Sequence, residues 1–319
     1  MRLGSVSIDF KIMSNITFEK FQLANYANCP IVTDSNIAAL YNITGDNVYL
    51  LPRGERAKSF NQVQKLCSWF LSRNLSTHDK VVAVGGGSIG DAVGFAASIY
   101  KRGVGILHVP TTLIAQIDSS IGGKTAVDLN GVKNAVGTYH FGDTLIDVDF
   151  LKTLPKKQLL SGQGELFKYR MLSDDVEDVY NGGKGSLQDV IKACVQYKKT
   201  ICDKDPFCND IRNKLNFGHT IGHALELSCN IPHGVAVANG ILYETMLAAK
   251  LNKCSAEFAD KWMKEIARKF PTYSLIDQML SLTLNDKKNA HGKVCFVLPS
   301  DFNEVYLTLD EVRDLLFYD

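Results

Sequence analysis

At 319 residues, with 45% hydrophobic and 22% charged side chains, the chain has an ordinary globular composition and the length of two domains. Its 35 Lys and Arg against 34 Asp and Glu leave a net charge of +1, which gives no electrostatic case for a nucleic-acid or membrane partner. No apolar run approaches the ~20 residues that span a bilayer, and eight scattered cysteines without a CxxC pair read as reduced thiols of a cytoplasmic protein.

Residues 1–28 are weakly patterned, with one strand expected around Val6 to Ile12 and no apolar core of a signal peptide. CPIVT (29–33) reads as a short strand ending at Asp34, Ser35 and Asn36. Polar residues there either meet a ligand at the C-terminal edge of a parallel sheet or cap the helix starting near Ile37. A second strand, NVYLL (47–51), leads into a turn where Glu55 and Lys58 stand three apart, as a solvated helix pair would. Residues 59–73 follow helix spacing.

Val81 to Val84 form the next strand, and Gly85, Gly86, Gly87 and Gly90 follow it. A helical pattern then recurs at Ala92, Val93, Ala96 and Ile99. Gly85-x-Gly87-x-x-Gly90 matches GxGxxG between strand and helix, the arrangement that brings backbone N–H groups to a pyrophosphate. The acidic residue expected ~20 positions on in a standard dinucleotide fold is missing. The loop, with Asp91 at the helix start, is therefore read as a related nucleotide cradle. Another strand spans Gly105 to Val109, a polar run holds Asp118, Lys124, Lys133 and Asn134, and a last strand runs from Leu145 to Asp149. Residues 1–155 thus predict a doubly wound, Rossmann-like α/β domain.

Beyond Pro155 the β-branched runs thin out, and helical patterns cover 156–173, 185–202, 218–229, 234–252 and 255–269. Residues 156–319 predict a mainly α-helical domain, with one short strand at 294–298. His219 and His223 stand four apart on one helix face, a spacing that suits a divalent metal, and His233 opens the next helix. Imidazoles at such spacing also occur without metal. A carboxylate ligand is available in Glu165; Glu226 is nearer in sequence but is an unremarkable helix-face carboxylate. Cys202 and Cys208 match no zinc-finger spacing. Lys168, Lys198, Arg212, Lys287 and Lys288 gather in the same half; beside a metal and a nucleotide they point to an anionic, phosphorylated or carboxylated substrate.

In order along the chain stand VTDSN, PRGERAKS, GGGSIGD, YKRG, VPTTLIAQIDSSIGGKTAV, GVKNAVG, TLP, SGQGELFKY, DKD, RNKLNFGHTIGHALE, HGVAVANG and NDKK. With these spacings the chain resembles the dehydroquinate synthases, sugar phosphate cyclases of the shikimate pathway, from about Ile31 to Pro299. The resemblance implies NAD between the two domains, with Asp34, Asn36, Glu55 and Lys58 at its nucleoside portion. Gly85, Gly86, Gly87 and Asp91 would take the pyrophosphate, and Thr111, Thr112, Lys133 and Thr153 would complete the cofactor contacts. It implies zinc or cobalt on Glu165, His219 and His233, which makes His223 a substrate contact rather than a ligand. Arg102, Asp118, Lys124, Asn134, Lys168, Lys198, Arg212, Asn216 and one of Lys287 or Lys288 would complete the substrate site. A small-molecule sugar phosphate substrate and a homodimer follow from the same likeness. Val235 stands where the family usually has a glutamate after His-Gly. Sister cyclases making 2-deoxy-scyllo-inosose or valiolone, a metal-dependent NAD polyol dehydrogenase and a non-catalytic binding protein are the competing classes. The segment Asp118 to Thr125 argues against the sisters, and the joint presence of Lys124, Lys198 and Arg212 argues against a dehydrogenase.

Overall fold

The computed structural model describes residues 14–183, 185–284, 289, 292–299 and 301–318. The strand expected around Val6 to Ile12, and Lys287 and Lys288, lie outside them. The first half contains β1 (Ile16–Phe18), β2 (Ile31–Asp34), β3 (Val48–Leu51), β4 (Lys80–Gly85), β5 (Gly105–Pro110), the hairpin of β6 (Lys124–Leu129) and β7 (Val132–Tyr139), and β8 (Asp143–Ile146). Six of these pair in parallel in the order β1-β8-β5-β4-β2-β3. Three helices connect them: α1 (Ser35–Tyr41), α2 (Phe60–Ser72) and α3 (Gly87–Ile99).

The central strands read as continuous apolar runs because both faces of the sheet are covered. Val81 and Ala83 point into a core shared with Val63, Leu66 and Phe70 of α2 and with Ala92, Val93 and Ala96 of α3. Val82 and Val84 face the opposite layer, with Ala38 of α1 and Phe150. This is the α/β fold expected of the sequence. The β6–β7 hairpin is not: β7 is mostly exposed, so it carries no apolar signature that separates it from a polar loop.

The second half contains α4 (Lys156–Leu172), α5 (Asp174–Asn181), α6 (Leu187–Lys204), α7 (His219–Cys229), α8 (His233–Lys250), α9 (Ala256–Lys269), α10 (Asp277–Thr283) and α11 (Leu309–Phe317). An antiparallel pair, β9 (Val294–Val297) and β10 (Glu304–Leu307), lies among them. The five long helices stand where their spacing puts them; α5, α10, α11 and β10 are short elements that the periodicity does not reveal. From Ser161 onward α4 is buried almost all round, which is why it shows no clear polar stripe. Its core is continuous with Leu113, Ile117, Ile121 and Ile146 at the C-terminal edge of the sheet. The helical half therefore sits over the edge where the glycine loop emerges.

Candidate active site

Gly86 opens α3 with extended backbone, and neighbouring side chains come close to the loop's glycines. A Cβ on Gly86 would come 3.0 Å from Thr112 Cγ2, and one on Gly87 would come 3.0 Å from Ser119 Oγ. The cleft at this loop is lined by Gly85, Gly86, Gly87, Gly90, His108 and Ser119 among others. Ser119 Oγ in this lining, and Thr111 Oγ1 just past β5, are buried without hydrogen-bond partners. Unmet polar atoms beside first-turn N–H groups fit a polar ligand such as a dinucleotide.

Around this loop stand the other nucleotide-side candidates. Asp34 Oδ1 accepts from the N–H groups of Asn36 at 2.8 Å and Ile37 at 3.1 Å, so it caps α1 in the structure. Glu55 Oε1 accepts from Ser88 Oγ at 2.9 Å. Lys58, buried, donates to Asp91 Oδ2 at 2.7 Å and to Asn134 Oδ1, joining three residues that lie far apart in sequence. Burial alone would lower the Lys58 pKa, but Asp91 raises it. Thr153 Oγ1 lies 2.5 Å from the Tyr41 hydroxyl.

Deeper in, two carboxylates and two ammonium groups form a compact network. Asp118 lies on a single wide helical turn, Ala115–Ser119, just past the sheet edge. It accepts from Tyr169 OH at 2.6 Å and from Lys198 Nζ, and Lys168 Nζ stands 3.8 Å away. Burial would raise the Asp118 pKa, but Lys168 and Lys198 hold it well below the usual carboxylate range. Lys168 Nζ lies 2.7 Å from Glu165 Oε2, a charge contact outside hydrogen-bond geometry. Partial desolvation lowers the pKa of Lys124, exposed though it is, and Arg212 and Lys198 add to the effect, while Cys208, whose Sγ is 3.2 Å from Lys124 Nζ, opposes it. Arg212 is buried and donates to the carbonyls of Pro206 at 2.6 Å and Gly122 at 2.8 Å. Asn216 Nδ2 is buried without a partner.

Beside this network three imidazoles converge, with ring centroids 5.4–5.8 Å apart. Glu165 Oε1 lies 3.3 Å from His219 Nε2 and 3.0 Å from His233 Nε2. His219 Nδ1 faces the Phe217 carbonyl at 3.1 Å, and His233 Nδ1 faces Glu226 Oε2 at 2.8 Å. With both Nδ1 positions turned to acceptors, both Nε2 atoms are left to aim at a carboxylate oxygen. A positive charge between these atoms, either a proton on His233 Nε2 or a bound cation, satisfies all three. Burial disfavours charge on His233, yet Glu165 and Glu226 push its pKa up to about 10. The Glu165, His219 and His233 donor atoms lie within 4.8 Å of one another, and two imidazoles with a carboxylate suit zinc or cobalt. His223, Glu226 and His233 form a second, more exposed grouping of the same kind.

The structure thus joins Asp118, Lys168 and Lys198 in one network with Glu165 of the triad, and sets Lys124 near Lys198 and Arg212. It separates Arg102 from them. That side chain sits in the Tyr100–Arg102 turn behind α3, at left-handed φ of 69°. Thirteen residues of helix, about 20 Å, carry it to the opposite edge of the sheet from the glycine loop. Lys133, expected at the cofactor, pairs with Glu226 Oε1 at 2.6 Å. Glu226 and Cys208 are the residues that sequence reasoning passed over. Glu226 shares a helix face with His219 and His223, and that spacing was the available signal. Val235 is buried in the core of α8, where an apolar side chain is satisfied without a partner.

Comparison with known proteins agrees along the length of the chain. The family model described as 3-dehydroquinate synthase N-terminal matches residues 48–161, and the one described as 3-dehydroquinate synthase C-terminal matches residues 157–289. The 3-dehydroquinate synthase of Alkaliphilus metalliredigens is 36% identical over 319 residues, covering 90% of this chain and 88% of the relative. That of Dictyoglomus turgidum is 33% identical over 333 residues, covering 98% and 93%. Among solved structures, the 2-epi-5-epi-valiolone synthase of Streptomyces hygroscopicus with NAD+ and Zn2+ bound superposes with a TM-score of 0.83 at 24% identity, covering 99% and 98%. A 2-deoxy-scyllo-inosose synthase complexed with carbaglucose-6-phosphate, NAD+ and Co2+ gives 0.81 at 24% identity, covering 95% and 96%. The structural likenesses fix the fold that these enzymes share, and the sequence matches separate one branch from the others: the chain belongs to the 3-dehydroquinate synthase family.

Proposed function

We propose that the chain converts 3-deoxy-D-arabino-heptulosonate 7-phosphate to 3-dehydroquinate and phosphate, as a cytoplasmic, NAD- and metal-dependent cyclase acting as a homodimer. One observation carries the reading: the Glu165–His219–His233 triad adjoins the Asp118–Lys168–Lys198 network at the mouth of a glycine loop. When bound, NAD supplies a reversible hydride acceptor, and zinc or cobalt on the triad supplies a Lewis acid for the substrate hydroxyls. The side chains do the rest. Lys124, Lys198 and Arg212 concentrate positive potential for the phosphate and carboxylate of the substrate. Asn216 Nδ2, buried without a partner, is a further donor, and exposed His223 stands beside the triad imidazoles. Asp118 fixes the two lysine ammonium groups, so that one flexible substrate is held through successive steps. The division near Pro155, with the nucleotide cradle on 1–155 and the metal ligands on 156–319, belongs to the same proposal and is supported by where the glycine loop and the triad lie. Among the described residues, no helix is long and apolar enough to cross a membrane.

The test is phosphate release from the heptulosonate phosphate with catalytic NAD and added zinc or cobalt, following the carbocyclic product in parallel. Many turnovers per NAD, lost on chelation, are expected. Release from glucose 6-phosphate or sedoheptulose 7-phosphate alone would assign the chain to a sister reaction. Steady NADH accumulation with a polyol would make it a dehydrogenase. Sedimentation of the intact protein tests the dimer.

A further inference from the structure

Glu226 lies on α7, one turn beyond His223, and only 12% of its side chain is exposed. Its two oxygens are committed in different directions. Oε2 meets His233 Nδ1 at 2.8 Å, and Oε1 accepts from Lys133 Nζ at 2.6 Å, from the β6–β7 hairpin. Each triad imidazole thus has its Nδ1 held, His219 by the Phe217 carbonyl and His233 by a carboxylate.

We propose that Glu226 is a positioning residue for the metal centre: it holds His233 with Nδ1–H turned outward, so that Nε2 keeps its lone pair and its aim toward Glu165 and His219. An imidazole free to turn about its χ2 would spend part of its time with Nε2 directed away from the other two donors. A carboxylate acceptor stops that rotation and makes the ring a more electron-rich ligand. The Lys133 ammonium holds the second oxygen and offsets the charge that a nearby cation does not neutralise. The hairpin of the first half is thereby tied to the metal centre of the second. The alternative grouping, His223, Glu226 and His233, would make Glu226 a ligand itself. It requires Glu226 to leave Lys133 or His233, whereas the positioning role uses the contacts as they stand.

The inference rests on the metal reading of the triad, and the experiment separates the two. Chelator-stripped protein, without NAD or substrate, is titrated with cobalt(II) while the visible absorption of the metal is recorded. Wild type, Glu165→Gln and Glu226→Gln are compared, with the melting temperature of each apo-protein. Wild type should bind one cobalt, and Glu165→Gln should lose it. Glu226→Gln should bind about 10–100-fold more weakly, with cobalt bands at the wild-type wavelengths. Unchanged affinity in Glu226→Gln overturns the positioning role alone. Bands that move to new wavelengths overturn it in favour of direct ligation. A wild type that takes up no cobalt overturns the metal centre and the inference with it. If the apo-protein of Glu226→Gln melts well below wild type, Lys133→Met provides the decision. It leaves the His233 contact in place and should weaken cobalt binding by a smaller, severalfold factor; no change overturns the proposal.

Discussion

Lys124 illustrates what the surroundings do to one charged side chain. It is exposed at the start of β6, yet partial desolvation and the nearby Arg212 and Lys198 lower its pKa, with the Cys208 sulfur as its polar contact. An anionic substrate group would restore the missing counter-charge, so the residue should matter to turnover far more than to folding. Lys124→Ala is expected to lower kcat/KM for phosphate release by about 10²–10³-fold while leaving NAD affinity unchanged; turnover near wild type would remove Lys124 from the site. The identity of such residues was legible in the sequence, because polar types cluster around the glycine loop and the histidines. Their partners were not. Lys58 reads as half of a local pair with Glu55, and that pair is there at 3.9 Å, but its hydrogen bonds go to Asp91 and Asn134, 33 and 76 positions away. His108 was invisible as anything but a strand residue, although it lines the glycine-loop cleft. Burial and the neighbouring His140 lower its pKa to about 4, against 6.5 in the unfolded chain. The fold holds it neutral, so its contribution is fully present above pH ~6.5 and is lost as pH falls toward 4, at most about 3 kcal/mol. Urea unfolding across that range should show the decline, and His108→Asn should flatten it.

At the scale of elements, the metal triad depends on a backbone contact between α4 and α8. A Cβ on Gly164 would fall 1.7 Å from the Gly234 carbonyl oxygen, and one on Gly234 would fall 1.7 Å from that of Ser161. The Gly234 N–H donates to Ser161 Oγ at 3.0 Å, which satisfies one of the orphan donors at the start of α8. Glu165 and His233 are the immediate sequence neighbours of these two glycines, so the closeness of the helices sets the distance between the ligands. Gly164→Ala should push the helices apart, destabilise the protein by about 1–3 kcal/mol in urea unfolding, and weaken cobalt binding at least tenfold. A variant with wild-type cobalt affinity would show that the crossing does not set the ligand spacing. The helices themselves were legible, because the β-branched runs thin out beyond Pro155 and helical patterns replace them. Their crossing was not: SGQGELF and PHG announce glycines without saying which backbone each must admit. The β6–β7 hairpin failed to register for a related reason. Its stabilising contacts, Lys133 to Glu226 and Tyr139 OH to the Phe207 carbonyl at 2.7 Å, come from residues that look solvated when read locally.

For the molecule as a whole, the two halves carry different parts of the site. The nucleotide cradle is built by β4 and α3 with the chain after β5. The metal donors come from α4, α7 and α8, three helices that pack against one another through Gly164, Gly218, Gly222, Gly234 and Gly240. A cation binding to donors on three separate helices exists only when those helices are docked, so its binding free energy adds to the stability of the folded state. At a free cobalt concentration 100 times its dissociation constant the gain is about 2.7 kcal/mol, worth several degrees in melting temperature for a chain of this size. NAD should raise the melting temperature by the same linkage, and on the proposed division it would do so through the first half. His219→Ala removes one donor without touching the glycine loop. It should therefore abolish the cobalt-induced rise and the phosphate-releasing activity while keeping the NAD-induced rise. Differential scanning fluorimetry of the stripped protein with each ligand alone would decide the point. A cobalt shift that persists in His219→Ala would place the metal elsewhere. An NAD shift that disappears with it would mean that the cradle forms only once the helical wall is in place, which would make the docking of the two halves part of cofactor binding.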